Sequence, residues 1–75
     1  MKSYENVGGE SAIVAFESGD DSITVEFRDG SIYLFTYRSA GSANVEQMKK
    51  YAVFGHGLNG FISRFVGMES GTRLS

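Results

Sequence analysis

The sequence contains no cysteine, a single histidine, no long apolar run and no marked excess of either charge. Each absence narrows what the chain can be. Without Cys there is neither a disulfide framework nor a thiolate metal site, so the apolar core must hold the fold unaided. His56 stands in a glycine corner with no carboxylate close by in sequence. A metal site needs several ligands at defined geometry, and a nucleophile needs a base with its own orienting group. No enzyme, metal, cofactor or small-molecule substrate is therefore expected. No stretch approaches the roughly 18 to 20 apolar residues of a membrane span, and the opening Met1-Lys2-Ser3-Tyr4-Glu5-Asn6 lacks the apolar centre of a secretory signal. A cytoplasmic protein without membrane contact is the expectation.

The net charge of −2 argues against strong, salt-driven nucleic-acid binding, which depends on Lys and Arg displacing counterions from phosphates. That average hides a division. Residues 1–37 hold seven acids against Lys2 and Arg28, a balance of −5, whereas residues 38–75 hold five bases against Glu46 and Glu69, a balance of +3.

What is present is a folding chain of 75 residues, 41% hydrophobic and 21% charged. A domain of this size buries only about 60% of the surface its unfolded chain exposes. The strongest local signal is Asp29-Gly30 between Ile23-Thr24-Val25-Glu26-Phe27 and Ile32-Tyr33-Leu34-Phe35-Thr36-Tyr37. Asp-Gly between alternating runs is a hairpin signature, because both residues tolerate the positive φ angles of a tight two-residue turn. With Asp29 and Gly30 as the loop, Phe27 pairs with Ile32, Glu26 with Tyr33 and Val25 with Leu34. One face then carries Ile23, Val25, Phe27, Ile32 and Leu34 as core. The other carries Thr24, Glu26, Arg28, Tyr33, Phe35 and Tyr37, an aromatic stripe among polar neighbours.

Upstream, Ser11 to Glu17 reads as a first strand, ended by the turn cluster Ser18-Gly19-Asp20-Asp21-Ser22, with Val14 and Phe16 joining the core face. Asp20 and Asp21 read as a solvated turn. After the small-residue connector Arg38 to Ala43 the period changes to about 3.6. Val45, Met48, Tyr51 and Ala52 mark one amphipathic helix, capped by Asn44 with Gln47 in capping-box position, or by Ser42. Glu46 and Lys50 form a favourable i, i+4 pair on its outside. Gly55-His56-Gly57 ends that helix. Leu58, Phe61, Ile62 and Phe65 then mark a second helix, from about Leu58 to Val66. Gly55, Gly57 and Gly60 have phosphate-loop spacing but follow a helix, where the dinucleotide fingerprint must follow a strand. The expected architecture is α+β: a three-stranded antiparallel meander followed by two short helices packed on one face, in the order βββαα. A small curled barrel is the alternative. Residues 1–10 form a flexible lead, 11–66 the domain and 67–75 a flexible tail. Phe27, Leu34, Leu58, Ile62 and Phe65 should tolerate truncation least.

The hairpin with Tyr33-Leu34-Phe35 at its centre, followed by Ala52, Gly55, Leu58-Asn59 and Ile62, resembles the KTSC domain, named for the C-terminal region of some lysyl-tRNA synthetases. The resemblance spans residues 11–66. It departs where the family's second Tyr is Phe35, with a phenol at Tyr37 instead, and where this chain lacks the family's Val-Pro between sheet and helix. The family also occurs as stand-alone bacterial and phage proteins. Its resemblance implies a small domain without established activity, for which RNA binding has been suggested.

Together these readings point to a small non-catalytic binding module. Its site would be Tyr33, Phe35 and Tyr37, with Arg28, Arg38, Lys49 and Lys50 as flanking cations. The partner would be another protein or a second copy. The alternative is single-stranded RNA, whose unpaired bases stack on exposed rings.

Overall fold

The computed structural model describes residues 1–5 and 12–75. Gly8-Gly9 of the expected lead, and Ser11 of the expected first strand, lie outside the described residues. Five antiparallel strands form one open sheet in the order β1-β2-β3-β4-β5: β1 (Lys2–Ser3), β2 (Ile13–Ser18), β3 (Ser22–Phe27), β4 (Ile32–Thr36) and β5 (Thr72–Arg73). Between β4 and β5 run α1 (Tyr37–Ala40), α2 (Ser42–Phe54), α3 (Leu58–Phe61), a π-helical turn (Ile62–Val66) and a 3-10 turn (Met68–Ser70). The chain is thus α+β, but not in the order βββαα, because the terminal segments set aside as lead and tail supply the two edge strands. The sheet is open rather than a closed barrel.

The β3–β4 hairpin is displaced by one residue from the expected pairing. Glu26 lies opposite Ile32, Val25 opposite Tyr33, Thr24 opposite Leu34 and Ile23 opposite Phe35. The loop has three residues, Arg28-Asp29-Gly30. Gly30 N–H donates to Phe27 O at 3.0 Å, and Phe27 N–H donates to Ser31 O at 2.8 Å. Gly30 takes φ 91°, which a residue with a Cβ rarely adopts. A turn followed by a left-handed glycine is the usual three-residue hairpin closure. Asp29 secures it, since its Oδ1 accepts from both the Ser31 amide (2.9 Å) and the Ser31 hydroxyl (2.6 Å). A slip of one residue turns every side chain of a strand to the opposite face. Phe35 and Tyr33 therefore face the core, and Ile32 and Leu34 the other side.

A similar irregularity governs β2. Ile13 pairs with Phe27 but Ala15 with Glu26, a bulge that lets Ile13 and Phe16 both point inward while Val14 is exposed. The expected inward Val14 is thereby corrected. Against this face pack Val45, Met48 and Ala52 of α2, Leu58 of α3, and Ile62 and Val66 of the π turn. Tyr4, just after β1, is buried with them, and its hydroxyl accepts from the Leu58 amide at 3.3 Å. Burying one such Phe, Leu or Ile side chain contributes roughly 1.5 to 3 kcal/mol before entropy.

The helices follow their apolar spacing, with different ends. Thr36 caps α1 in a capping box with Ser39, and Gly41 precedes α2 with no side-chain cap. The Asn44 side chain instead donates to Ala40 O. Gly55 ends α2 at φ 75°, as expected. Beyond Phe61 the ladder widens to a π turn, in which Gly67 N–H donates to Ile62 O at 2.7 Å. A π turn rotates each residue less far than an α turn. Val66 accordingly takes the inward place expected of Phe65, and Phe65 is 69% exposed.

Candidate functional site

The expected aromatic stripe does not form one surface. Phe35 is wholly buried, at 0% exposure, and Tyr33 is half-buried against the core. Their rings stack at 6.4 Å, and Tyr33 meets Phe27 edge-on at 5.7 Å. The cause is the hairpin register described above. Tyr37 is not in the strand at all: it opens α1, is exposed, and its hydroxyl donates to Glu46 Oε2 at 2.5 Å.

The expected cations are likewise dispersed. Arg28 is exposed in the hairpin loop, where it lines a hollow of about 420 Å³ with Phe27, Asp29, Ser31 and Tyr33. Its one described carboxylate, Asp29, is held below the ordinary aspartate range by the Ser31 hydroxyl and amide. Arg38 is exposed on α1, and Lys50 is exposed on α2. Lys49 is engaged within the fold. Its ammonium bridges Glu46 at 3.0 Å, donates to Gly19 O at 2.7 Å and Asp20 O at 3.2 Å, and lies 5.8 Å from the Tyr37 ring centroid. The anticipated Glu46–Lys50 pairing is thus replaced by Glu46–Lys49. Tyr37, Glu46 and Lys49 tie α1, α2 and the β2–β3 loop together. Glu46 sits below its ordinary range, chiefly through the Tyr37 hydroxyl and then Lys49, and Tyr37 sits above its own, chiefly through the Glu46 hydrogen bond.

Large apolar groups do reach the surface, on the helical layer. Val53 and Phe54 at the end of α2 are 73% and 74% exposed. Tyr51, Val53, Phe54 and Lys50 line a shallow hollow of about 570 Å³. Tyr51 also lines a neighbouring hollow with His56, Phe61, Arg64 and Phe65. The rings run on without a break from Tyr51 to Phe61 (5.2 Å) and from Phe61 to Phe65 (5.4 Å). Lys50, His56 and Arg64 border this run, and all three are exposed.

Half of that surface was visible in the sequence. Phe54 lies nine positions after Val45, which at 100° per residue puts it on the opposite side of α2 from the buried stripe. Phe65 was not visible, because nothing in the residue pattern marks the π turn that turns it outward.

The surface offers ring faces, aliphatic area and positive charge. Among the described residues no group of three or more His, Cys, Asp or Glu side chains could hold a metal ion. The hollow containing His56 has no carboxylate in its lining. No described helix is long and apolar enough to cross a membrane. Compared with family models, curated proteins and solved structures, the chain matches none of them.

Proposed function

We propose that this chain is a small non-catalytic binding module whose contact surface is the helical aromatic run of Tyr51, Phe54, Phe61 and Phe65, and that it associates with protein surfaces, its own included. The observation that carries this reading is the exposure of Phe54 and Phe65, at 74% and 69%, while thirteen other hydrophobic residues are buried among the described residues. Scattered exposed apolar residues need no explanation, but contiguous ones rimmed by polar groups mark contact sites. Aromatic side chains are also enriched among the residues that dominate interface energies. This proposed surface lies on the helices and does not include Tyr33, Phe35 or Tyr37.

Amide spectra recorded while the labelled protein is diluted from millimolar to low micromolar concentration test this reading. Shifts should concentrate in residues 50–66 and disappear in the Phe54→Ser, Phe65→Ser double variant. A series with no shift in that stretch overturns it.

A second reading, single-stranded RNA, is favoured by Lys50 and Arg64 beside the rings, and it is the partner that the resemblance to the KTSC domain implies. Stacking on each ring is worth about 1 to 3 kcal/mol per base, and the two cations would give binding a modest salt dependence. Titration with a labelled single-stranded oligonucleotide at two ionic strengths separates it from self-association.

A further inference from the structure

We infer that the helical aromatic run of one molecule seats on the open sheet face of a second copy of this chain, head to tail. The inference rests on the binding role proposed above and names the partner. Among the described residues, the helices cover one face of the sheet. On the other, the ladder aligns Glu17 with Thr24 and Leu34, and Glu26 with Ile32. Ile32 and Leu34 are half-buried there, and Leu74, whose amide donates to Ile32 O at 2.7 Å, is 55% exposed. This second apolar surface exists because of the one-residue hairpin displacement, which brings Ile32 and Leu34 out of the core.

Charge decides how two copies meet. Among the described residues, Glu26 is the unpaired carboxylate that the strand register places on the open face, since Glu17 beside it is bridged by the N-terminal ammonium at 3.7 Å, whereas Lys50 and Arg64 border the helical run and Glu5 lies against Gly55 at its corner. Glu46 beside that run is already neutralised by Lys49 and bonded by Tyr37. A symmetric contact between two helical runs would bring Lys50 and Arg64 of one copy toward those of the other, and one between two sheet faces would bring the Glu26 carboxylates together. Head-to-tail contact opposes cations to carboxylates and rings to aliphatic side chains, and like charges set directly opposite are unfavourable. A standard contact takes about 800 Å² from each partner, less than a fifth of the 4538 Å² this molecule exposes. Both faces are available at once, so each molecule can serve as donor and acceptor. Such a contact extends into rings or open chains instead of closing as a dimer.

Sedimentation velocity on the whole chain tests this with two variants, each confirmed folded by circular dichroism. Phe54→Ser with Phe65→Ser disables the helical run, and Glu26→Lys with Leu74→Lys disables the sheet face, all at positions outside the buried core. The wild-type mass should rise past dimer with concentration. Each variant alone should remain monomeric, and an equimolar mixture should form a dimer and stop there, because one intact surface of each kind remains. If the sheet-face variant still assembles alone, the head-to-tail contact is overturned while the binding role of the helical run stands. If the wild type stays monomeric at millimolar concentration, the self-contact is overturned; amide shifts on titrating oligonucleotide then decide whether the helical run binds anything.

Discussion

Glu46 accepts a hydrogen bond from a phenol and faces an ammonium, and these two contacts act on titration at opposite ends of the pH scale. The carboxylate is held below its ordinary range. Its contribution to stability is therefore complete above that range and is lost as pH falls through the lowered value. The phenol of Tyr37 is held above its ordinary range. Its contribution is complete below that range and disappears as pH rises through the raised value. Ultraviolet titration should show Tyr37 ionising above the ordinary tyrosine range, and Tyr37→Phe should remove that late step. Glu46→Gln should move it earlier, and an unchanged step in that variant would mean the bond is not formed in solution. The hairpin register makes a second demand on single residues. Phe35→Ala should lower unfolding free energy by about 3 to 5 kcal/mol, as a wholly buried ring does. Leu34→Ala, half-buried on the outer face, should cost under half as much. Urea denaturation of the two variants would reverse that order had the two-residue turn formed.

At the scale of elements, three departures from the residue pattern are local shifts of register. A single extra loop position in the β3–β4 hairpin, a single bulge in β2 and a single widened turn after Phe61 redirect Tyr33, Phe35, Val14 and Phe65. The pattern of periods two and 3.6 located β2, β3, β4, α2 and the helical segment from Leu58, and it identified Val45, Met48, Ala52, Leu58 and Ile62 as core. It could not fix register, because Asp-Gly suits both a two-residue loop and a turn closed by glycine, and the choice rests on the Asp29–Ser31 bonds. Nor could it find β1 and β5, two residues each, whose strand state comes from pairing with a neighbour and not from their own composition. The tail nevertheless packs tightly. A Cβ on Gly71, just before β5, would lie 2.7 Å from the Phe35 ring, inside contact distance of a side chain with no room to retreat. Gly71→Ala should therefore destabilise by about 1 to 3 kcal/mol, the usual cost of overpacking. Gly60→Ala, in α3 with nothing within 4 Å of the added carbon, should stabilise by up to about 1 kcal/mol. Thermal unfolding of the pair distinguishes a docked tail from a loose one, since a loose tail would leave Gly71→Ala near neutral.

For the whole molecule, charge acts locally: the sheet comes mostly from the acidic half of the chain and the helices from the basic half, yet the Glu5 side chain lies against Gly55 at the helical corner, and Glu46 and Lys49 pair with each other. Exposed charges more than a Debye length apart are screened, about 8 Å at physiological ionic strength, so only the groups brought together at the contact contribute appreciably. Self-association should accordingly weaken as salt rises from low to physiological concentration, and then persist on apolar burial. Exchange of charge supplies the sharper outcome. A head-to-tail contact that sets Lys50 against Glu26 of the neighbouring copy would make Lys50→Glu and Glu26→Lys each associate several-fold more weakly when alone. Mixed in equal amounts, the two reversed residues face each other across one contact while the original pair faces across the next, and association should return toward the wild-type level. Restoration on mixing requires that residues 26 and 50 meet between molecules. If both variants are weakened and mixing restores nothing, residues 26 and 50 do not meet between molecules.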